Sequence, residues 1–199
     1  MTDASCSYRA RSLLTDRTIQ PNFLHAGDHV HLGPGVTSVR RIDPAVNLHD
    51  LPNIDVVLLS HYHEDHFDKE VEASLRRDLP IISTPHAKAH LESKGPGEAF
   101  SSVYELDFFD SMLVDIVPGL ERQTRDQLEK ERPERTPSIK VTGMPGKHVP
   151  DGVLETMNEY LKAVPPTNGW MVELGYGKKQ GNDEDFECGY RYAWSMRGF

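Results

Sequence analysis

Cysteine is nearly absent from this chain: Cys6 and Cys188 are the only two, they lie near opposite ends, and neither belongs to a paired spacing. That excludes a disulfide framework and a cysteine-based zinc ribbon, and it points to a reducing compartment. Long apolar runs are missing too. No stretch approaches the roughly 20 apolar residues that span a bilayer, and Met1 to Arg11 is polar, without the apolar core of a signal peptide. The chain is therefore expected to be soluble and cytoplasmic. Positive charge is the third shortage. With 22 basic against 31 acidic residues the formal net charge is -9, a field that repels phosphate backbones, so nucleic acid is not an expected partner.

What remains is enough for one core. At 199 residues and 37% hydrophobic content, the expectation is a single domain over residues 1–199. Ile54 to Ser60 reads I-D-V-V-L-L-S, a short apolar run rich in β-branched residues, which suits a central strand covered on both faces. Asp68 can then cap a helix whose apolar positions Val71, Leu75 and Leu79 recur every four residues and which ends before Pro80.

The pattern repeats with a short strand at Ile81 to Ser83, a Thr84-Pro85 cap, and a second helix carrying Ala87, His90 and Leu91 and closed by Gly95. Further strands are expected at Met112 to Val117, Ser138 to Thr142 and Trp170 to Leu174, the last followed by a turn at Gly175-Tyr176-Gly177. Alternating strands and helices predict an α/β layered fold. Glu121 to Arg135 is too charged to bury much and reads as a solvated surface segment, while Val153 to Val164 carries the modest apolar stripe of a packing helix.

The chemistry concentrates at Ser60 to Phe67, S-H-Y-H-E-D-H-F. Within six positions His61, His63, Asp65 and His66 offer three imidazoles and a carboxylate, donors that first-row divalent metals such as zinc accept. In an extended turn, side chains at i and i+2 point the same way, so His61 and His63 can hold one ion while Asp65 and His66 turn towards a second. A structural zinc site would close its shell with four protein ligands, often cysteines, and neither cysteine is placed to contribute. His148, in a Gly/Pro loop shaped by Pro145 and Pro150 and following the strand at 138–142, is a further candidate ligand.

H-x-H-x-D-H after an apolar strand resembles the signature of the metallo-β-lactamase superfamily. The likeness extends to Leu14-Thr15-Asp16, similar to that family's L-T-D-P strand end, to the lead-in from Asp43-Pro44, and to Gly143 to Gly152, similar to its next ligand loop. It covers roughly Ser12 to Tyr192 and in detail resembles the branch containing L-ascorbate-6-phosphate lactonase and N-acyl phosphatidylethanolamine phospholipase D.

The resemblance implies a four-layer α/β/β/α sandwich, present here incompletely, and metal-dependent hydrolysis of an ester, lactone, amide or phosphodiester bond in a small-molecule or lipid-like substrate. It implies that His61, His63 and His148 hold the first metal and that Asp65 and His66 belong to the second, one or two zinc ions in all. Asp16 would orient the ligand loop, and Asp65 would act catalytically by holding or accepting a proton from a water acidified by the metals.

Two departures from the family pattern stand out. After Tyr190-Arg191-Tyr192 the family carries an S-G-D-T turn whose aspartate bridges both metals, followed later by a last histidine, whereas this chain reads Ala193 to Phe199, A-W-S-M-R-G-F. The hairpin that precedes L-T-D-P in the family is also lacking. A form truncated at both ends is therefore expected, with the second metal's ligands depleted and an apolar face left open to self-association into a homo-oligomer.

The rival function is a catalytically impaired or non-catalytic protein that binds a single metal. A nuclease of the same superfamily is disfavoured by the net charge, and an iron-binding redox member would need carboxylates that the sequence does not show. His86 reads as a capping or surface residue beside Thr84-Pro85. His25, His29 and His31 read as a loop, and Asp183 and Asp185 as solvated.

Overall fold

The computed structural model describes residues 6–8, 23–33, 36–51, 54–64, 66–116, 135–147, 149, 166–178 and 186–194, with isolated positions 156, 158 and 160. In chain order the elements are β1 (Cys6–Tyr8), β2 (His29–Gly33), β3 (Val36–Val39), a 3-10 turn (Leu48–Asp50), β4 (Val57–Leu58), α1 (Lys69–Ser74), β5 (Ile81–Ser83), α2 (Pro85–Glu92), β6 (Val103–Glu105), β7 (Ser111–Ile116), β8 (Arg135–Pro145), β9 (Asn168–Lys178) and β10 (Glu187–Trp194).

Strands β4, β5 and β6 form a parallel sheet in that order, pairing Val57 with Ile81 and Ile81 with Val103. A second sheet runs β1-β7-β8-β9-β10, antiparallel except where β1 lies parallel to β7. The hairpin β2-β3 stands apart as a two-stranded sheet.

Alternation of side chains along the short parallel strands sets the layers. Val57, Leu59, Ile81 and Val103 face one way and pack with Val71 of α1, Ala87 and Leu91 of α2, and Phe67, Leu79 and Phe100. Leu58 and Ile82 face the other way and pack with Met112, Val114, Ile139, Val141 and Trp170 of the larger sheet. Helices, parallel sheet and mixed sheet thus stack as three layers, an α/β arrangement as the sequence predicts. Leu59, Ile81 and Leu91 are fully buried, each contributing about 1.5–3 kcal/mol through burial.

The local signals explain the helices. Asp68 caps α1 by accepting from Val71 N at 2.8 Å, and Thr84 caps α2 by accepting from Ala87 N at 3.2 Å with Pro85 at the first helical position. Helix α1 ends at Ser74, earlier than the spacing of Leu75 and Leu79 suggests. Ser74 Oγ takes the Val71 carbonyl and the Arg77 guanidinium takes the Glu72 carbonyl, at 2.8 and 2.7 Å, acceptors of the last helical turn, and Pro80 turns its predecessor away from helical backbone.

Other expectations are corrected. Strand β4 is only two residues long and, among the described residues, is an edge of the parallel sheet; β5 is its centre. His29 and His31 belong to β2, not to a loop, because Val30 supplies a buried inward position in an alternating run. Gly175 to Gly177 lies inside β9 and is no turn: a Cβ on Gly175 would collide with Glu187 O, so the glycine admits the close approach of β10. The expected strands at 112–117 and 138–142 are β7 and the longer β8, and β10 contains the expected Tyr190–Tyr192 run. Leu14 to Asp16, and Glu121 to Arg135 except Arg135, lie outside the described residues. Of the expected helix at 153–164 only Thr156, Asn158 and Tyr160 are described, and they are helical.

Candidate metal centre

The histidine loop leaves the carboxyl end of β4, where parallel α/β sheets present their sites. Leu59 N still donates to Ile82 O at 2.9 Å, extending the ladder one residue beyond the strand, and Ser60 and His61 follow fully buried. The chain then turns on a single acceptor: His63 O receives His66 N at 3.0 Å and Phe67 N at 2.8 Å. Phe67 drops into the helix-side core, and Asp68 is 3% exposed. Besides capping α1, its carboxylate accepts Phe23 N at 2.7 Å, which ties the segment before β2 to the end of the loop.

This folding brings three of the predicted ligands together. The His61 ring lies 4.3 Å from the His66 ring and 5.9 Å from the His63 ring, centroid to centroid. Ser60 Oγ hydrogen-bonds His61 Nδ1 at 3.0 Å, which fixes the imidazole and leaves Nε2 as the nitrogen for another partner. Nε2 of His61 and Nε2 of His66 are both buried. Asp65 and His148 lie outside the described residues, as does Asp16. Among the described residues no group of three or more His, Cys, Asp or Glu is placed to hold a metal ion. The donor set nevertheless fits a first-row divalent ion chemically: three imidazoles on one turn, two with a buried ring nitrogen, are borderline-soft nitrogen ligands.

One residue unread in the sequence organises the surroundings. Asn168, 1% exposed at the start of β9, donates its backbone N–H to Ser60 O at 3.0 Å and its side-chain amide to Leu106 O at 2.8 Å. It thereby joins the ends of β4 and β6 to the mixed sheet beside the histidines. Gly143, in the strand that leads towards His148, comes so near that a Cβ there would meet Asp107 O at 2.5 Å and Asn168 Nδ2 at 3.1 Å. Only its pairing partners in the fold reveal Asn168; a buried Asn before a Gly-Trp strand carries no local signal.

The remaining candidates fall elsewhere. His86 is exposed on α2, its ring 4.7 Å from that of His90. Partial desolvation, and secondarily the charge of His90, holds its pKa below the ordinary value. Cys188 is exposed on β10, and Asp183 and Asp185 lie outside the described residues. No helix among the described residues is long and apolar enough to cross a membrane.

Comparison with known proteins places this arrangement. Among solved structures the chain is similar to a possible metal-dependent hydrolase from Veillonella parvula DSM 2008, with a TM-score of 0.50 at 18% identity over 79% of this chain and 52% of that one. It is also similar to the isothiocyanate hydrolase from Delia radicum gut bacteria, with a TM-score of 0.51 at 14% identity over 92% of this chain and 62% of that one. The chain thus spans between half and two thirds of the length of these structures, and the likeness concerns the fold. No curated protein matches the chain. The family model of the beta-lactamase superfamily domain matches residues 28–149, a stretch that contains the parallel sheet, both helices and every candidate ligand. Over more than half its length, then, the chain belongs to the beta-lactamase superfamily and has its metallo-β-lactamase-like α/β fold.

Proposed function

We propose that this protein is a zinc-dependent hydrolase, with His61, His63 and His148 as the ligands of one ion and Asp65 and His66 directed to a second. The observation that carries this reading is the convergence of the His61, His63 and His66 rings on one turn at the end of a buried strand. A bound zinc ion supplies Lewis-acid polarisation of the scissile group and acidifies the attacking water. The protein's own residues do the rest. A His61 that holds zinc through Nε2 would carry its proton on Nδ1 and donate it to Ser60 Oγ, which would present the Nε2 lone pair in a fixed direction. Asp65 takes up the proton that the attacking water gives up and returns it to the leaving group.

The branch reading extends this to an ester, lactone, amide or phosphodiester bond in a small-molecule or lipid-like substrate. The isothiocyanate hydrolase among the structural relatives is named for water addition to another carbon electrophile, chemistry of the same kind.

Metal analysis and turnover test the proposal together. The purified chain should hold about one zinc ion tightly and hydrolyse a generic aryl ester or lactone. His61→Ala should lose the ion, and Asp65→Ala should lose turnover by about 100-fold or more with the His61, His63 and His148 ion retained. A chain that takes up no zinc refutes the metal reading. Full turnover in Asp65→Ala removes that residue from the chemistry.

A further inference from the structure

We infer that Tyr62, the residue between the two histidines of H-x-H, is a positioning residue that sets the ligand loop through a polar anchor on α1 and α2. The inference rests on the reading of His61 and His63 as ligands and adds a means by which their spacing is held.

In an extended H-x-H stretch the central side chain leaves on the side opposite its neighbours. Here it leaves towards the helices and is held there in three ways. The Tyr62 hydroxyl donates to Glu72 Oε2 of α1 at 3.1 Å. Its ring lies nearly parallel to that of His90 on α2, 5.5 Å between centroids and 9° between planes. Lys94, just past the end of α2, forms an ion pair with Glu72 and places its ammonium 5.2 Å from the Tyr62 ring centroid.

The Glu72 and Lys94 side chains are only 12% and 25% exposed. This is therefore a partly desolvated network in which each group satisfies another, unlike a surface pair mobile in water. Packing alone would be met by a leucine or phenylalanine at position 62. A hydroxyl brought to a shielded carboxylate has a directional purpose, because hydrogen bonds fix a position that apolar contact leaves loose. The loop has need of it. Its internal backbone bonds converge on the single acceptor His63 O, and within the turn Tyr62 meets the ring of Phe67, 6.2 Å between centroids, an apolar contact without the direction of a hydrogen bond. A ligand pair that drifts by about half an ångström loses the geometry that a metal requires.

Zinc titration of the full chain, by competition with a chromophoric chelator, is the test. Tyr62→Phe removes the donor and Glu72→Leu the acceptor of the same hydrogen bond, so each should weaken zinc binding by about tenfold. The double variant should be no weaker than the single variant at Glu72, which also loses the Lys94 ion pair, because the shared hydrogen bond is lost only once. The metal-free unfolding midpoint should stay close to wild type in Tyr62→Phe, and the control Arg135→Ala, at an exposed ion pair with Glu187 on the sheet edge, should bind zinc as wild type does. Wild-type affinity in both single variants, or additive losses in the double variant, overturns the inference while leaving the metal reading intact. A wild-type chain that binds no zinc overturns the metal reading and this inference with it.

Discussion

The parallel sheet is built from strands of two and three residues, whereas the mixed sheet contains two strands of 11. The two are held in place by different forces. In the mixed sheet a long ladder fixes register from Arg135 opposite Lys178 to Pro145 opposite Asn168. Its face away from the parallel sheet therefore tolerates polar groups, the buried pair Ser138 on Asp115 at 2.7 Å and the buried Glu173 met by the exposed Arg191 at 2.7 Å. In the parallel sheet the ladder is too short to do this. Burial on both faces, a side-chain bond within the sheet from Ser83 Oγ to Leu59 O at 2.7 Å, and a bond from the mixed sheet, Asn168 N to Ser60 O at 3.0 Å, take its place. The candidate metal loop grows from the half that depends most on its neighbours.

The largest effect should come from the contact between the halves. Trp170 is fully buried in the core shared by both sheets, and Trp170→Ala should lower stability by about 3–5 kcal/mol in urea unfolding. A loss below about 1 kcal/mol would mean that the parallel sheet does not lean on the mixed one. Asp68→Ala comes next. It removes the α1 cap and leaves the Phe23 amide without its buried acceptor, for a loss of about 2–3 kcal/mol. If the loss equals that of a simple exposed cap, about 1 kcal/mol, the tie from Phe23 to the histidine loop carries no energy.

The smallest effect concerns the helical layer over the parallel sheet. Because the fold depresses the pKa of His86 below 6.5, first by desolvation and second by His90, the unfolded chain binds that proton more readily. The contribution to stability is present above the unfolded value and is lost as pH falls through the folded one. An NMR titration of the His86 ring should show the lowered midpoint, and His90→Gln should move it back upward. A midpoint at or above the ordinary value would contradict the packing of this helix face.

The local structure of the histidine turn and the helices after it was legible because its signals are local. Asp68 and Thr84-Pro85 announce helix starts through side chains acting within three residues, and His61, His63 and His66 lie on one short turn. What escaped depends on residues far apart in the chain. The glycines at 175 and 177 have the composition of a turn, and only their pairing with β8, with β10 closing on Gly175, shows that they keep a strand going. His29 and His31 are polar enough to read as a loop until β3 pairs with them. Asn168 reaches Ser60 and Leu106, and Tyr62 reaches Lys94, across separations that no local pattern encodes.

Gly143 has a bearing on how freely this sequence can drift. With Asp107 O standing where a Cβ would go, no mutation at this position can be absorbed by repacking, since the obstacle is main chain and not a side chain that could swing aside. The turn at Asp107–Asp110 and the strand leading to the His148 loop are further tied by Phe109 N to Gly143 O at 2.7 Å and Gly143 N to Asp110 O at 3.0 Å. The exposed Phe108 of that turn can be exchanged without meeting such an obstacle, while the glycine beneath it has no room for a side chain.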